Sequence, residues 1–494
     1  MSERPAWPKV PAAFVRENLS GHKLLGLALC AVLYLVSLSG TATVFFVEME
    51  RWEGASLPTV AAASPRVLAA ALEDARAASP KVVESLAIVP PTPDQPRLSV
   101  GVGEAVRVYD RDGRYVGSGD HPVTHGLTAL HYALSLPSAV GLPVVGLTGL
   151  GLVALLVGGL ASHPRIFRDA FLWRWRSAPR LSRADLHNRI GVWTAPFHLA
   201  IALTGAVIGI SSLVLLAVSV AFHDGDAAKA AAPLMGPAPA QGAYGRVTPD
   251  ALVSALATLE RLQPGARPSY IAVNQPGTDR ESLSITAEVP DRLVYGETYE
   301  FDGRGRFAGA HGTSDGPAGK QVYASLYNLH FGAYGGLLLK WVYVLLGAGL
   351  CLACTSGLEL WLIKSEQQGR PHPRLRRLWT GFVWAAPAAM ALAALATLAW
   401  SAPFAAVFWS ILAGGSAGAL ALRDHRRAAR IGQWLTGGAL LSVVAAHAAR
   451  FGEAAASAAA SGVNLSLAVI GVGLCVWAER KTPSPRAGRG FSGS

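Results

Sequence analysis

The strongest restriction on this chain is a set of eight apolar runs, near 24–47, 138–160, 190–220, 336–363, 380–400, 403–422, 432–449 and 462–478. Each approaches the roughly 20 residues that an α-helix needs to cross the hydrocarbon core of a bilayer. Helices satisfy their own backbone polar groups in lipid, so runs of this length point to spans. The rest of the composition agrees, with 51% hydrophobic and only 15% charged residues. That balance excludes both an ordinary soluble domain and a disordered chain. The expected fold is a mainly α, polytopic membrane helix bundle of eight spans. Its first run exceeds the apolar core of a signal peptide and no small-residue cleavage site follows it, so it reads as a retained anchor.

Lys and Arg in short loops mark the cytoplasmic side. The arm 1–23 carries Arg4, Lys9, Arg16 and Lys23, and the loop 161–189 carries Arg165, Arg168, Arg174, Arg176, Arg180, Arg183 and Arg189. The loop 364–379, the turn 423–430 and the tail 479–494 are also basic. Eight crossings put all of these on one side, with both termini cytoplasmic and the segments 48–137 and 221–335 outside. The net charge of +11 lies largely in these loops. It therefore argues for topology and contact with anionic lipid, not for nucleic-acid binding.

Two of the runs look like copies of each other. His22–Gly40, HKLLGLALCAVLYLVSLSG, and His187–Gly205, HNRIGVWTAPFHLAIALTG, each begin with a histidine and place Gly four residues on, at Gly26 and Gly191. Each meets a second Gly eighteen residues after the histidine, at Gly40 and Gly205. In a continuous helix four residues make about one turn and eighteen make about five, so the three positions share one face over about 27 Å. A histidine beside positions without side chains is how a helix could admit a flat macrocycle such as haem.

The two outside segments repeat a plan as well. In the first, Ser64–Ser79 reads as a helix, 97–103 and 105–109 as strands, Asp110-Arg111-Asp112-Gly113 as a turn and 114–117 as a further strand. In the second, 227–240 reads as an Ala- and Pro-rich linker, and Thr248 caps a helix that runs from Pro249 to about Leu262. Strands at 269–274, 282–289 and 297–301 follow, and Asp302-Gly303-Arg304 makes the same turn. Two small α+β domains are expected. Each leads back to the membrane through a Leu-His pair, Leu130-His131 and Leu329-His330, with Gly158 and Gly357 placed 27 residues beyond the histidines. Four histidines then form two layers, His22 with His187 and His131 with His330.

The His-x3-Gly start, the Ser/Thr-Gly-Thr/Ala segment, the helix-plus-strands domain and the Leu-His return together resemble the PepSY-associated transmembrane family of bacterial inner-membrane proteins, over about residues 15–365. The resemblance implies two PepSY-like domains and a two-haem b-type electron carrier akin to ferric-siderophore reductases. Low-spin haem b takes two axial imidazoles on opposite faces of the iron. The four histidines would supply them, as two haem b groups linking a reductant on the inner side to a ferric-siderophore substrate outside. The donor would be a quinol or a flavoprotein docking on the basic inner loops. No G-x-G-x-x-G fingerprint or P-loop is present, so a built-in nucleotide site is unsupported.

Other readings stay open at this stage. A histidine near a helix end can be a plain interfacial residue, although four in two matched pairs favour ligation. His198, eleven residues after His187, could ligate the outer haem or line a route between haems; His447 reads as interfacial. His121, His125 and His311 could bind metal or substrate, or simply be solvated. Tyr323, Tyr327 and Tyr334 would suit an amphipathic interface. Cys30, Cys351, Cys354 and Cys475 read as small packing residues inside spans. A non-enzymatic membrane regulator that binds a periplasmic peptide or protease is the competing function, and a transporter a third.

Overall fold

The computed structural model describes residues 11–79, 85–162, 179–235 and 245–480. Residues 236–240 of the expected linker, most of the basic 161–189 loop and nearly all of the tail lie outside them. The chain divides into two compact units, Met1–Trp361 and Leu362–Ser494.

In the first unit, α1 (Ala12–Thr43) is followed by a short α2 (Phe46–Glu53) and by α3 (Pro65–Ala78). Strands β1 (Leu86–Val89), β2 (Leu98–Val102), β3 (Ala105–Tyr109) and β4 (Tyr115–Ser118) lead to α4 (Pro122–Ala133) and the long α5 (Ser138–Ala161). The second half repeats the order with α6 (Pro179–Trp193), α7 (Ala195–Phe222), α8 (Ala227–Met235), α9 (Pro249–Leu262), β5 (Arg267–Asn274), β6 (Ser282–Glu288), β7 (Glu297–Phe301), β8 (Phe307–Ala310), α10 (Ala318–Phe331) and α11 (Gly336–Gln367). Four of these helices, α1, α5, α7 and α11, are long and apolar enough to cross a membrane.

The third expected run is not one helix. It breaks at Thr194 between α6 and α7, and Pro196 sits in the first turn of α7. Proline has no N–H and clashes with the preceding turn, so the helix restarts there. His187 therefore sits on α6 and Gly205 on α7, whereas His22 and Gly40 share the unbroken α1. The segment expected as a linker at 227–240 is helical over α8.

The eight strands form one antiparallel sheet in the order β4-β3-β2-β1-β5-β6-β7-β8. The two outside segments thus meet edge to edge, Leu86 opposite Val273 and Ile88 opposite Ile271. One face is covered by α3 and α9, whose Leu72, Ala75, Leu252 and Leu259 pack on Ile88, Val100, Ile271 and Ile285 in a single core. The sequence leads to two separate domains, and the shared sheet goes unannounced there because β1 at the seam is apolar throughout, LAIV, with no period-2 polar alternation to mark a strand. Arg76 of α3 reaches across the halves to Glu281 at 2.7 Å. Ser64 and Thr248 cap α3 and α9 by accepting from the N–H groups of Val67 and Ala251. The two hairpins are equivalent in detail: Asp110 Oδ1 accepts from Asp112 and Arg114, and Asp302 Oδ1 from Arg304 and Arg306. Their left-handed residues are Gly113 (φ 77°) and Gly305 (φ 76°), three places after each aspartate.

The sheet is tied to the short helices α2 and α4 of the first half by a buried polar knot. Arg97 donates to the carbonyls of Glu50, Arg51 and Gly54 and so caps the C-terminus of α2. Glu53 accepts from the N–H groups of Val123 and Thr124 and caps the N-terminus of α4, which carries His131. Burial pushes the Glu50 carboxyl up to about 7, against the opposing pull of Arg97.

The second unit packs α12 (Pro373–Trp400) against α13 (Phe404–Ala421) and α14 (His425–Phe451), with α15 (Ala458–Glu479) beside α14. Ala386, Ala389 and Ala393 of α12 are almost fully buried, which lets the helix axes approach closely. Helices α12, α13 and α15 are apolar enough to span, giving seven candidate spans among the described residues where the sequence led to eight. The run at 432–449 is helical within α14, but Gln433, Gly437, Gly438 and His447 lower its hydropathy.

Because folded Glu50 keeps a proton that an unfolded glutamate loses near 4.5, it lowers stability as pH rises from about 4.5 to about 7. Glu50→Gln removes that penalty and leaves the Gln95 contact on Oε2 open to the new amide. The variant should raise the thermal unfolding midpoint at pH 8 more than at pH 5; an equal change at both pH values contradicts this account of the knot.

Candidate functional site: two paired histidine layers

The four histidines come together as the sequence pairs them. The His22 and His187 ring centres lie 6.3 Å apart with planes crossed at 81°, and those of His131 and His330 lie 6.1 Å apart with planes at 22°. An imidazole nitrogen binds a metal at about 2 Å, so two rings on opposite sides of one iron have centres about 6 Å apart. Both pairs meet that distance.

Each ring is held by the same device. His131 lies over Gly40, where an added Cβ would stand 2.6 Å from its Cε1, and His330 lies over Gly205 at 2.8 Å. His22 lies over Gly159 and His187 over Gly357, both at 3.3 Å. In three cases Nδ1 donates to the carbonyl four residues before the glycine: His131 to Val36, His22 to Leu155 and His187 to Ala353, each at 3.0 Å. His330 instead bonds the Thr204 hydroxyl at 2.9 Å, with the Ile201 carbonyl, four before Gly205, as a further acceptor. The Thr204 hydroxyl is itself directed at the Ala200 carbonyl, so it accepts from His330.

A carbonyl can only accept, so each Nδ1 carries the proton and each Nε2 of the neutral ring keeps its lone pair. Among the described residues Nε2 of these four histidines has no hydrogen-bond partner. Metal-binding histidines are prepared in this manner, with the second nitrogen donating to a carbonyl that fixes tautomer and ring orientation. No group of three or more His, Cys, Asp or Glu able to hold a metal occurs among the described residues. Two facing imidazoles suit a metal whose remaining ligands come with it, as in haem, better than a bare ion.

The layers are separated along α1 by the 18 residues from His22 to Gly40, about 27 Å. Between them Leu33, Leu152, Leu155 and Ala202 form a buried apolar cluster, against which Cys354 packs.

The glycines divide by role. Gly40 and Gly205 make room for the imidazoles of the sheet-side layer themselves. Gly26 and Gly191 touch no histidine: a Cβ on Gly26 would meet Leu155 at 3.7 Å, and one on Gly191 would meet nothing within 4 Å. Gly158 lies under Asn18, whose amide donates to the Gly158 carbonyl and to Ser162, and its neighbour Gly159 serves His22. Thr204, Ser356, whose hydroxyl lies 3.2 Å from His187 Nδ1, and the four acceptor carbonyls went unseen in the sequence. The Ser/Thr-Gly step at 204–205 and 356–357 was the available signal for the two hydroxyls.

His198 stands apart from both pairs, fully buried with Nδ1 on the Thr194 hydroxyl and Nε2 on the Leu346 carbonyl, 2.9 Å each. Both ring nitrogens are engaged by protein. His447, expected at an interface, is buried and bonds Asn464. His311 pairs with Glu300 at 2.7 Å, and His121 packs against His125 with ring centres 6.3 Å apart. Burial, reinforced by Arg97, pushes His121 down to about 4. Tyr327 stacks on Phe331, which meets the His330 ring edge-on, and Tyr334 contacts the Tyr343 hydroxyl.

The fold and the site define a multi-pass membrane protein with four histidines in two layers below an antiparallel sheet. The comparisons agree with this class. Residues 19–364 match the family described as the PepSY-associated TM region, and the chain belongs to that family. An uncharacterized protein of Pseudomonas aeruginosa is 31% identical over 296 residues, which cover 54% of this chain and 72% of the relative.

Gly40→Ala forces the His131 ring or α4 to move and should destabilise the protein by about 1–3 kcal/mol. Gly191→Ala meets open space and should be neutral or stabilising by up to about 1 kcal/mol through helix propensity. Thermal unfolding of the two purified variants checks this contrast, and equal losses would contradict the ring-over-glycine packing.

Proposed function

We propose that this protein is a membrane electron carrier that holds two haem b groups, one between His22 and His187 and one between His131 and His330, and that it reduces a ferric chelate such as a ferric siderophore on the sheet side of the membrane. The observation that carries the reading is the paired geometry: two imidazole pairs with ring centres about 6 Å apart, every Nδ1 occupied and every Nε2 without a hydrogen bond among the described residues. Bound haem would supply reversible one-electron chemistry at each layer. The chain's own part is to fix the ring planes through the carbonyls of Leu155, Val36 and Ala353 and the Thr204 hydroxyl, and to keep water from the space between layers with Leu33, Leu152 and Leu155. His22 and His187 would face the electron donor, a quinol or a flavoprotein, at the cytoplasmic surface of the bacterial inner membrane. Ferric iron in a chelate of hard oxygen ligands is released more readily once it becomes ferrous, so one-electron reduction would free it.

The test is a reduced-minus-oxidised visible spectrum of the membrane-purified protein with haem quantified per chain. Wild type should give a bis-imidazole haem spectrum, and His22→Ala and His330→Ala should each remove about one of two haems. Thr204→Val should keep the haem but shift its midpoint potential, with Thr204→Ser restoring it. Absence of haem from wild type, or His22→Ala and His330→Ala both leaving the spectrum unchanged, overturns the proposal.

A further inference from the structure

The second unit, most of which lies beyond the family match, contains a cavity of about 240 Å³ where α12 begins and the turn between α13 and α14 folds over it. Its walls are unusually basic for a site among apolar helices: Arg376, Arg377 and Arg423 together with His372 and His425, against Glu366 and Asp424. Most of these charges have duties inside the protein. Arg376 pairs with Glu366 at 3.2 Å, and Arg377 caps α13 by donating to the carbonyls of Leu420 and Leu422. Asp424 accepts from the Arg426 N–H as the N-cap of α14 and contacts His425 at 3.1 Å. Both carboxylates are therefore engaged, while Arg423 is exposed and makes no hydrogen bond or ion pair among the described residues. Pro373 opens α12 with no side-chain cap, so the positive end of that helix adds to the same field.

We propose that this cavity is a binding site for a phosphate-bearing anion, which for a membrane protein means the headgroup of an anionic phospholipid. Leu362, Pro371 and Pro373 give the cavity an apolar wall, and the exposed Leu378 and Leu420 lie on the helices that lead from it toward the bilayer. A phosphodiester there would accept from Arg423 and share Arg376 with Glu366. Basic pockets at helix ends recognise anionic headgroups by this chemistry, and each basic side chain near a headgroup contributes about 1 kcal/mol. The site is independent of the histidine layers and stands or falls without them.

The experiment uses the full-length protein, delipidated in a zwitterionic detergent, and follows binding of phosphatidylglycerol, phosphatidylcholine and inorganic phosphate by native mass spectrometry and thermal shift. Wild type should prefer phosphatidylglycerol, and Arg423→Gln should weaken that binding about fivefold with an unchanged unfolding midpoint in the absence of lipid. Arg423→Lys should retain most of the affinity. Competition by inorganic phosphate at millimolar concentration identifies the phosphate as the group recognised; binding of phosphate but not of phosphatidylglycerol would move the source from lipid to free anion at the same residues. Equal binding of phosphatidylglycerol and phosphatidylcholine with no phosphate effect, or a phosphatidylglycerol preference untouched by Arg423→Gln and by Arg376→Gln, overturns the site.

Discussion

A histidine ring laid across a helix at a glycine is the contact on which the rest of this molecule depends. Without a side chain at Gly40, Gly205, Gly159 or Gly357 the imidazole reaches the backbone of the neighbouring helix, and it donates to the carbonyl four residues earlier or to a hydroxyl beside the glycine. That carbonyl already accepts the helical bond from the glycine N–H, so the histidine shares an acceptor and leaves no backbone polar group unsatisfied in an apolar setting. One interaction therefore does three things. It brings two helices close, satisfies a buried nitrogen, and leaves the remaining nitrogen without a hydrogen bond.

The duplication of the chain joins its two halves twice. Each half supplies one histidine to each layer, and the two halves are fastened together a second time outside the helices, where β1 and β5 pair at the centre of one sheet. The polar knot of Arg97, Glu50 and Glu53 fixes α2 and α4 to that sheet and thereby fixes the approach of His131. A sheet built as two separate domains would leave the two sheet-side histidines free to drift apart. The shared core of α3 and α9 over eight strands removes that freedom.

Much of this was legible in the sequence because it rests on local rules. Apolar length marks the spans, Thr248 marks a helix start, and the aspartate-glycine turns at 110–113 and 302–304 mark the repeat. The histidine pairing was legible because spacing survives duplication. What was hidden depends on packing between segments far apart. The β1–β5 seam joins residues 86–88 to 271–273, and no local pattern announces an edge that will be covered. The break before Pro196 divides a run that is continuously apolar, so hydropathy alone joined α6 to α7. The role of Gly40 and Gly205 was attributed to space for a macrocycle, and the structure gives that space to the imidazoles. His198 satisfies both of its nitrogens within its own half, through Thr194 and Leu346, and this explains why the repeat has no counterpart for it at Leu33.

The two layers differ in one respect that a measurement can read. The imidazole planes are crossed at 81° in the His22–His187 pair and nearly parallel, at 22°, in the His131–His330 pair. In low-spin ferric haem, crossed axial planes give a highly anisotropic paramagnetic resonance and near-parallel planes a rhombic one. With haem bound as proposed, electron paramagnetic resonance of the oxidised, purified protein should therefore show both signals in equal amount, with His22→Ala deleting the anisotropic one and His131→Ala the rhombic one. A protein without any low-spin ferric signal, or one whose signals ignore these substitutions, would contradict the account.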